Sequence, residues 1–298
     1  MTEGVKKILI TGSTGFVGRN VKEYLEKNPA YKVYAPVSRE LDCIDETAVR
    51  EYLEENQFDY VLHFAVYGDG IDKSKDGTKV LEYNLRMFLN FQKCSKLYGK
   101  MYYFGSGAEY DKRYDIISVR ETEIGRTSPT DQYGLMKYTV GQMIEASENI
   151  YNFRLFGIFG KYEYYPVKFI SNVCCKAIKG LPFSIRQNVY FDYLWVDDFC
   201  RMLEFFLSHE PKYHSYNMVA GEKISLREIC DIVNKISSRE MSVYICRDGL
   251  GREYTASNER FLEEWPDFTY TTKEDAVREL YNWYMERENM IDIYQLLY

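Results

Sequence analysis

The sequence is poor in the residues that form metal sites and disulfide frameworks. It contains three histidines and seven cysteines, an odd number, and no two cysteines form a CxxC pair. This pattern argues against a zinc knuckle and a disulfide framework, and it is typical of reduced thiols in a cytoplasmic protein. We therefore predict a cytoplasmic protein without a metal ion.

Long apolar runs and basic tracts are also missing. No run approaches the ~20 apolar residues that a membrane helix needs, and the N-terminal MTEGVKKILI enters an apolar stretch without a cleavage site. Lysine and arginine number 38 against 45 aspartates and glutamates, a net charge of −7. We expect no nucleic acid and no membrane as a partner, because an acidic chain without a basic patch does not attract these anionic surfaces.

The chain has 298 residues, of which 46% are hydrophobic and 28% charged, a balance typical of globular proteins. Its first half alternates short apolar runs with helical patterns, which predicts a Rossmann-type, doubly wound parallel sheet of the α/β class. The predicted strands are Lys7–Thr11, Tyr31–Val37, Tyr60–Phe64, Met101–Phe104 and Ile150–Leu155. One helix is predicted to extend to about Lys27, and others cover Asp45–Asn56, Val80–Leu97 and Gln132–Ala146.

The order of elements becomes less regular after about residue 160. Helices are predicted over Val167–Lys179, Val196–Ser208, Leu226–Ser237 and Lys273–Glu288. We expect a dinucleotide-binding domain over residues 1–160, to which a segment near 185–215 returns. A smaller, mostly substrate-binding domain is expected over residues 161–298, packed closely on the first.

Three glycines follow the first predicted strand at a regular spacing, Gly12-x-x-Gly15-x-x-Gly18. In a strand–loop–helix unit, such glycines allow a tight turn, let the backbone approach a pyrophosphate and let the helix pack closely on the strand. The helix N-terminus then presents N–H groups to the phosphates. The spacing differs from that of a P-loop, so we predict a dinucleotide site.

The end of the second strand indicates which dinucleotide is bound. An acidic residue there binds the adenosine ribose of NAD, whereas a basic residue accepts the 2′-phosphate of NADP. Here the strand ends in Pro36-Val37-Ser38-Arg39, and Ser38 with Arg39 suits a phosphate. NADP(H) is therefore favoured, with NAD(H) as the alternative.

Tyr133 and Lys137 lie four residues apart on a predicted helix and share a face. A lysine ammonium beside a phenol favours the phenolate and lowers the tyrosine pKa from about 10, which makes Tyr133 a candidate general acid or base. Ser106 follows the strand Met101–Phe104 and lies at its carboxyl end, and open α/β proteins bind ligands at the carboxyl ends of their strands. A hydroxyl there suits a hydrogen bond to a substrate carbonyl or alcohol.

Together these motifs resemble the extended short-chain dehydrogenases/reductases, in their branch of nucleotide-sugar epimerases and reductases. TGSTGFVG resembles the family's cofactor loop, LDCID its segment near adenine, LHFA the stretch along the cofactor, and FGSGAEY with YGLMK the catalytic residues. The resemblance implies that Ser106, Tyr133 and Lys137 are catalytic. With Ser38 and Arg39 included, the expected cofactor-binding residues are Gly12, Thr14, Gly15, Phe16, Val17, Gly18, Ser38, Arg39, Asp42, His63, Ala65, Tyr133 and Lys137.

The sequence departs from the family at positions that decide the reaction. Nucleotide-sugar 4,6-dehydratases place an Asp-Glu pair directly after the catalytic hydroxyl residue, whereas Gly107 and Ala108 stand here. GDP-fucose synthases epimerise with a cysteine and a histidine, and the matching residues are Ala108 and Tyr162. The usual arginine of the late FDYLWVDD segment is Phe191, so other residues must bind the pyrophosphate. The expected substrate-binding residues are Ser106, Lys168, Asn172 and Arg186, with a plain surface role as the alternative for Lys168 and Arg186.

These departures leave redox chemistry at C4 of the sugar. The hypothesis is that NADPH reduces the 4-keto group of a nucleotide-linked 6-deoxy sugar, with Tyr133 as proton donor, Ser106 as hydrogen-bond partner and Lys137 orienting the cofactor. A 4-epimerase with tightly held NAD⁺ is the enzymatic alternative, and a non-catalytic dinucleotide sensor is the alternative of another class. The resemblance also implies a homodimer, paired through the helix that carries the tyrosine.

Overall fold

The computed structural model describes residues 4–68 and 75–297, so residues 1–3 of the N-terminal segment considered above lie outside the described residues. In chain order, the strands of the described part are β1 (Lys6–Thr11), β2 (Tyr31–Tyr34), β3 (Phe58–His63), β4 (Tyr98–Ser106), β5 (Ile116–Val119), β6 (Ile150–Leu155), β7 (Gly157–Phe159), β8 (Phe183–Asn188), β9 (Tyr190–Trp195), β10 (Ser215–Met218), β11 (Lys223–Ser225), β12 (Val243–Leu250) and β13 (Tyr254–Ala256). The α-helices are α1 (Phe16–Leu25), α2 (Glu46–Asn56), α3 (Val80–Lys93), α4 (Gln132–Ile144), α5 (Phe169–Ile178), α6 (Val196–Ser208), α7 (Leu226–Ser237), α8 (Glu259–Glu264) and α9 (Lys273–Met285).

Six strands form one parallel sheet in the order β10-β6-β4-β3-β1-β2. Helices α1 and α6 cover one face with side chains such as Leu25 and Phe206, and helices α2 to α4 cover the other with side chains such as Leu53 and Phe91. Because both faces are buried, the strands are continuous apolar runs rather than alternating ones. This architecture confirms the predicted doubly wound α/β fold.

The strand order reverses next to β1. The chain passes from β1 to β2 on one side and later to β3 on the other, which leaves a crevice at the carboxyl ends of β1 and β3. Ligands of open α/β sheets bind at such a switch point. The glycine loop lies in the turn from β1 to α1, directly at this crevice.

The later part of the chain builds a separate apolar core. Helices α5, α7 and α9 pack together around side chains that include Cys174, Ile229 and Leu280. A smaller sheet has the order β11-β9-β13-β5, whereas β10 returns to the main sheet and pairs with β6. The domain boundary near residue 160 stays a prediction.

Four of the five predicted strands differ from their predicted bounds. Strand β1 begins at Lys6 instead of Lys7, and β3 covers Phe58–His63 instead of Tyr60–Phe64. Strand β2 ends at Tyr34 instead of Val37, because the Val37 N–H donates to the carboxylate of Glu40 instead of to a neighbouring strand. Strand β4 continues to Ser106, which pairs with Leu155 of β6. Ser106 is therefore the last residue of a strand and is held by the sheet.

Five helices are shorter than predicted, namely α2, α3, α4, α5 and α9. Helix α3 ends at Lys93, and the 3₁₀ turn Ser95–Leu97 follows it. Helix α5 begins at Phe169, because the backbone of Lys168 is extended and forms the N-cap.

All seven cysteines are free thiols, six of them buried and Cys246 exposed. Within residues 4–68 and 75–297, no helix combines the length and apolar character that crossing a membrane requires. In the same part of the chain, no three side chains of His, Cys, Asp or Glu are grouped so that they could hold a metal ion.

Glu163 is a buried acidic side chain beside the core of α5, α7 and α9. It is 7% exposed, and one carboxyl oxygen accepts a hydrogen bond of 2.6 Å from the Ser171 hydroxyl. Burial raises the pKa of Glu163 from 4.5 to about 7, although the Ser171 hydrogen bond and the charge of Lys168 oppose the rise. The folded protein therefore favours the protonated form more strongly than the unfolded chain does.

We predict that Glu163→Gln flattens the pH dependence of stability. The contribution of the protonated Glu163 is fully present below pH 4.5 and is lost as the pH rises through about 7, where a charge must form in the core. A rise from 4.5 to about 7 corresponds to roughly 3 kcal/mol. Urea unfolding between pH 5 and 8.5 should show a steeper fall of the unfolding free energy for the wild type, with the variant more stable at pH 8.5. The exposed Glu240→Gln is the control, and equal slopes for wild type and Glu163→Gln would contradict the prediction.

Candidate active site

Gly12 and Gly18, two of the three glycines of the β1–α1 motif, lie where the backbone has no room for a side chain. A Cβ at Gly12, whose φ is +69°, would lie 2.6 Å from the Ala65 nitrogen, and a Cβ at Gly18 would lie 2.4 Å from the Gly12 carbonyl oxygen. Gly15 is the N-cap of α1 and makes no side-chain capping hydrogen bond. The first turn of α1 therefore offers its N–H groups to a ligand at the crevice.

A groove of about 620 Å³ opens at this crevice. The predicted cofactor residues that line it are Gly12, Thr14, Gly15, Ser38, Asp42 and Ala65. Phe16, Val17 and Gly18 lie in the first turn of α1, outside that lining. Lys75 also lines the groove, a cation that the sequence analysis missed because it belongs to no motif.

The loop after β2 brings groups of both charges to the rim of the groove. Ser38 lines the groove and Arg39 is exposed beside it in the chain. The carboxylate of Glu40 turns back and accepts the Val37 N–H at 3.0 Å. An acidic group thus lies close to the strand end, although it follows that end in sequence, which is why the strand pattern did not reveal it.

His63 does not line the groove, and its contact with the cofactor stays a prediction from the resemblance. Its side chain is 2% exposed, and its Nδ1 lies 2.9 Å from the Thr11 hydroxyl, which in turn accepts the Ala65 N–H at 3.3 Å. Burial and the positive charge of Lys137 lower the pKa of His63 to about 3, so the imidazole is neutral. His63 acts from behind, by supporting the turn that carries Ala65.

Ser106 and Tyr133 are carried by elements that meet at the carboxyl end of β4. The Ser106 hydroxyl caps the 3₁₀ turn Gly107–Glu109 and accepts the Ala108 N–H at 3.1 Å. The start of helix α4 packs against this turn so closely that a Cβ at Gly134 would lie 2.8 Å from the Ala108 carbonyl oxygen. Tyr133 is half-buried in the first turn of α4.

Lys137 is buried on the same face of α4 as Tyr133. Its Nζ donates to the Phe104 carbonyl oxygen at 2.7 Å and lies 4.5 Å from the ring centroid of Tyr103 and 5.8 Å from that of Tyr133. Burial lowers the pKa of Lys137 to about 8, against the opposing charge of Glu109. The ammonium is therefore held in one position beside the phenol.

Behind Ser106 lies a buried ion pair that the sequence analysis missed. Arg154 Nε donates to Glu109 Oε2 at 2.6 Å, and neither side chain is exposed. Glu109 also accepts the Asn152 amide at 3.0 Å and the Ser106 backbone N–H at 3.1 Å. The sequence contains one indication of this ion pair, because an asparagine and an arginine interrupt the otherwise apolar strand IYNFRL.

The predicted substrate residues beyond Ser106 lie in the later part of the chain. Lys168 is the exposed N-cap of α5, and Arg186 is exposed on β8, which pairs with β12 in a separate two-stranded sheet. The Asn172 amide donates to a backbone carbonyl at 3.3 Å. Removal of water lowers the pKa of Lys112, the carboxylate of Asp131 opposes this, and the charge of Lys168 adds to it.

A tyrosine that belongs to no motif stands beside Ser106. A Cβ at Gly107 would lie 2.2 Å from the hydroxyl of Tyr254, a residue of β13. The Tyr254 ring packs on Phe156 and Phe191, with centroids 5.0 and 5.9 Å apart. The sequence around Tyr254 offers no signal, because only the pairing of β13 in the smaller sheet brings it to this place.

Comparisons with known proteins agree with this fold. The model of the NAD-dependent epimerase/dehydratase family matches residues 8–218. The chain is 24% identical over 345 aligned residues to a dTDP-glucose 4,6-dehydratase of Salmonella typhimurium, across 96% of this chain and 94% of the relative. Its structure is similar to that of a GDP-L-fucose synthetase from Naegleria fowleri, with a TM-score of 0.84, 19% identity and coverage of 97% and 96% of the two chains. It is also similar to a GDP-mannoheptose C4 reductase from Campylobacter jejuni with NADP bound, with a TM-score of 0.81, 17% identity and coverage of 95% and 99%.

We predict that Arg154→Met destabilises the protein by roughly 3–5 kcal/mol, because the Glu109 carboxylate then stays in the core without its partner. Adding Glu109→Gln should recover part of this loss, since no buried charge remains. Urea unfolding of the single and double variants measures both effects. The exposed i,i+4 pair of Arg278 with Glu274 is the control, where Arg278→Met should cost less than about 1 kcal/mol. A double variant that is no more stable than Arg154→Met alone would refute this reading of the ion pair.

Proposed function

The chain belongs to the NAD-dependent epimerase/dehydratase family, and we propose that it is an enzyme that uses NADPH to reduce the 4-keto group of a nucleotide-linked 6-deoxy sugar. The observation that carries the proposal is the set of groups at the carboxyl end of β4, where Ser106 and Tyr133 supply hydroxyls and Lys137 supplies a buried cation. Reduction of a ketone needs a proton source and a hydrogen-bond donor for the oxygen, and these side chains provide both.

The groove fits a dinucleotide. The bare backbone at Gly12 and Gly18 and the N-terminus of α1 suit a pyrophosphate, and the groove reaches Ser38 in the loop after β2. When bound there, NADPH supplies the hydride. The Campylobacter jejuni reductase of similar structure holds NADP, which supports the choice that Ser38 and Arg39 favour.

The chain's own residues then handle the proton and the charge. Tyr133 donates its phenolic proton to the C4 oxygen as negative charge develops on that oxygen. The Ser106 hydroxyl donates a hydrogen bond to the same oxygen and stabilises the charge. Lys137 stabilises the phenolate left on Tyr133, and its bond to the Phe104 carbonyl keeps the ammonium in position.

The same contacts argue against elimination and against 3,5-epimerisation. Gly107 and Ala108 supply neither an acid nor a base, and the Glu109 carboxylate is fully buried in its ion pair with Arg154. Tyr162, at the position of an epimerising histidine, donates to a glutamate of α1 at 3.1 Å. The relative from Salmonella is a dTDP-glucose 4,6-dehydratase, and these differences argue against the same reaction here.

The substrate is proposed to be a nucleotide sugar that lies between the β4 end and the later part of the chain. The charges of Lys168 and of Asp131, the N-cap of α4, both influence Lys112, and we propose that Lys112 and Lys168 bind the diphosphate. Arg186 remains a candidate for the same group. A homodimer stays a prediction from the resemblance.

A 4-epimerase with bound NAD⁺ is the second candidate, because the Glu40 carboxylate lies in the loop after β2, near where NAD-binding proteins place an acid. Denaturing the purified protein and identifying the released dinucleotide distinguishes the two. Stoichiometric NAD⁺ supports the epimerase. Little bound NAD⁺, together with oxidation of NADPH by a 4-keto sugar nucleotide, supports the reductase.

We predict that Tyr133→Phe lowers kcat for NADPH oxidation by at least roughly a hundredfold, because the proton donor is lost. The Kd for NADPH should stay within about twofold, since the groove is unchanged. The rate of NADPH oxidation in the presence of 4-keto sugar nucleotides gives kcat, and fluorescence titration with NADPH gives the Kd. Tyr138→Phe on the same helix is the control, and full activity of Tyr133→Phe would sink the assignment.

We predict that Arg39→Ala weakens NADPH binding by roughly tenfold and leaves NADH binding nearly unchanged, because only NADPH carries the 2′-phosphate that a cation binds. Titration of both cofactors into wild type and variant measures the preference. Lys32→Ala, an exposed cation of β2, is the control. Equal weakening of NADH and NADPH binding would show that Arg39 does not contact the 2′-phosphate.

A further inference from the structure

The carboxylate of Glu109 contacts the three elements, β4, β6 and α4, that meet at the reaction site. Its Oε1 accepts the backbone N–H of Ser106, the last residue of β4, at 3.1 Å. Its Oε2 accepts the Nε of Arg154 on β6 at 2.6 Å. The carboxylate also lies against Gly141 of α4, where a Cβ would be 2.6 Å from Oε2. One side chain thus joins the strand that carries the serine to the helix that carries the tyrosine and the lysine.

Glu109 is fully buried, in a space that fits a carboxylate. Gly105 and Gly141 lie on different elements, and a Cβ at either position would collide with an oxygen of Glu109. The side-chain amide of Asn152 adds a further donor at 3.0 Å. Because both oxygens have donors and the two glycines leave no further room, the carboxylate is held in one orientation.

Glu109 holds the part of β4 that presents two groups of the site. The Ser106 hydroxyl accepts the Ala108 N–H at 3.1 Å while Glu109 accepts the Ser106 N–H, an arrangement known as a capping box. A hydroxyl that accepts in this way still has its proton to donate. Two residues earlier, the Phe104 carbonyl oxygen accepts the Nζ of Lys137 at 2.7 Å. A shift of this strand end would therefore displace the hydroxyl and the ammonium together.

Arg154 makes a carboxylate acceptable at this place. Negative charge develops on the C4 oxygen in the proposed reduction, and an uncompensated carboxylate behind Ser106 would oppose it in a buried site that water screens little. The Arg154 guanidinium, which is not exposed either, bonds directly to the carboxylate and opposes its field. The pair therefore offers Ser106 an acceptor without a net negative charge.

We propose that Glu109 is a positioning residue, which holds the backbone of Ser106 so that the Ser106 hydroxyl stays in place to donate to the C4 oxygen of the substrate. Arg154 compensates the charge of Glu109. Removing the acceptor for the Ser106 N–H should therefore slow the reaction, whereas removing the ion pair and keeping the acceptor should not. The identity of the substrate oxygen rests on the proposed function, whereas the hold on the Ser106 backbone does not.

Two double variants separate the acceptor from the charge. Glu109→Gln/Arg154→Met keeps a side-chain oxygen for the Ser106 N–H, whereas Glu109→Met/Arg154→Met has a side chain of similar size without one. Both lack the buried ion pair. The first should keep kcat for NADPH oxidation within about threefold of wild type, and the second should lose roughly tenfold or more, with the KM for NADPH unchanged in both. Equal kcat values for the two double variants would overturn the proposal.

Glu121→Gln is the matched control. Glu121 is 4% exposed, and its carboxylate also accepts a backbone N–H, that of Asn217 at 2.7 Å, but it does not contact the end of β4. This variant should retain the kcat of the wild type. A loss as large as that of Glu109→Met/Arg154→Met would refute a specific role of Glu109.

Amide hydrogen exchange needs no substrate and tests the hold on Ser106 directly. In the wild type, the Ser106 amide should exchange at least roughly a hundredfold more slowly than in an unfolded chain. This protection should persist in Glu109→Gln/Arg154→Met and fall by roughly tenfold or more in Glu109→Met/Arg154→Met, while the Asn217 amide stays protected in both. Equal protection of the Ser106 amide in the two double variants contradicts the inference.

The exchange experiment also separates this proposal from the proposed function. An unprotected Ser106 amide in the wild type overturns the inference, and this measurement stands even if neither double variant folds. If the wild type oxidises no NADPH with any 4-keto sugar nucleotide, the proposed reaction fails, and the exchange rates still decide whether Glu109 holds Ser106.

Discussion

The buried ion pair of Glu109 and Arg154 is the constraint on which the geometry of the site depends. It joins the turn after β4 to the neighbouring strand β6, and the same carboxylate accepts the backbone N–H of Ser106. Glycines make room for it, since a Cβ at Gly105 or Gly141 would lie 2.1 or 2.6 Å from its oxygens. A buried charge pair tolerates little displacement, because any loosening leaves a charge without compensation. The position of Ser106 is therefore set from behind, by groups that do not touch the groove.

Several of the buried groups near Lys137 are neutral. His63 is kept neutral by burial and by the charge of Lys137, and burial also keeps Tyr254 protonated. Lys137 carries the charge, and its low exposure means that water screens it little. Such an arrangement suits a reaction in which negative charge appears briefly on an oxygen and is removed by a proton.

The sequence predicted the parts of the site that depend on local spacing. Gly12 and Gly15, between a strand and a helix, line the groove, and the four-residue interval from Tyr133 to Lys137 defines a helix face. These features depend only on neighbouring residues, because an α-helix has 3.6 residues per turn and glycine adopts backbone angles that other residues avoid. The doubly wound sheet followed in the same way, from apolar runs too continuous for anything but strands buried on both faces.

The sequence alone thus determined the class of fold, the glycine loop and the pair on α4, because each depends on residues close together in the chain. Only the tertiary structure decided which distant residues surround the site. It places Arg154 behind Ser106, Tyr254 beside the turn after Ser106, and His63 behind the groove. These contacts join residues many positions apart in the chain, and no periodicity or motif encodes which of the many tyrosines or arginines will meet a given serine. Strand pairing and burial determine these contacts, since they decide which side chains come together and which buried polar groups need hydrogen-bond partners.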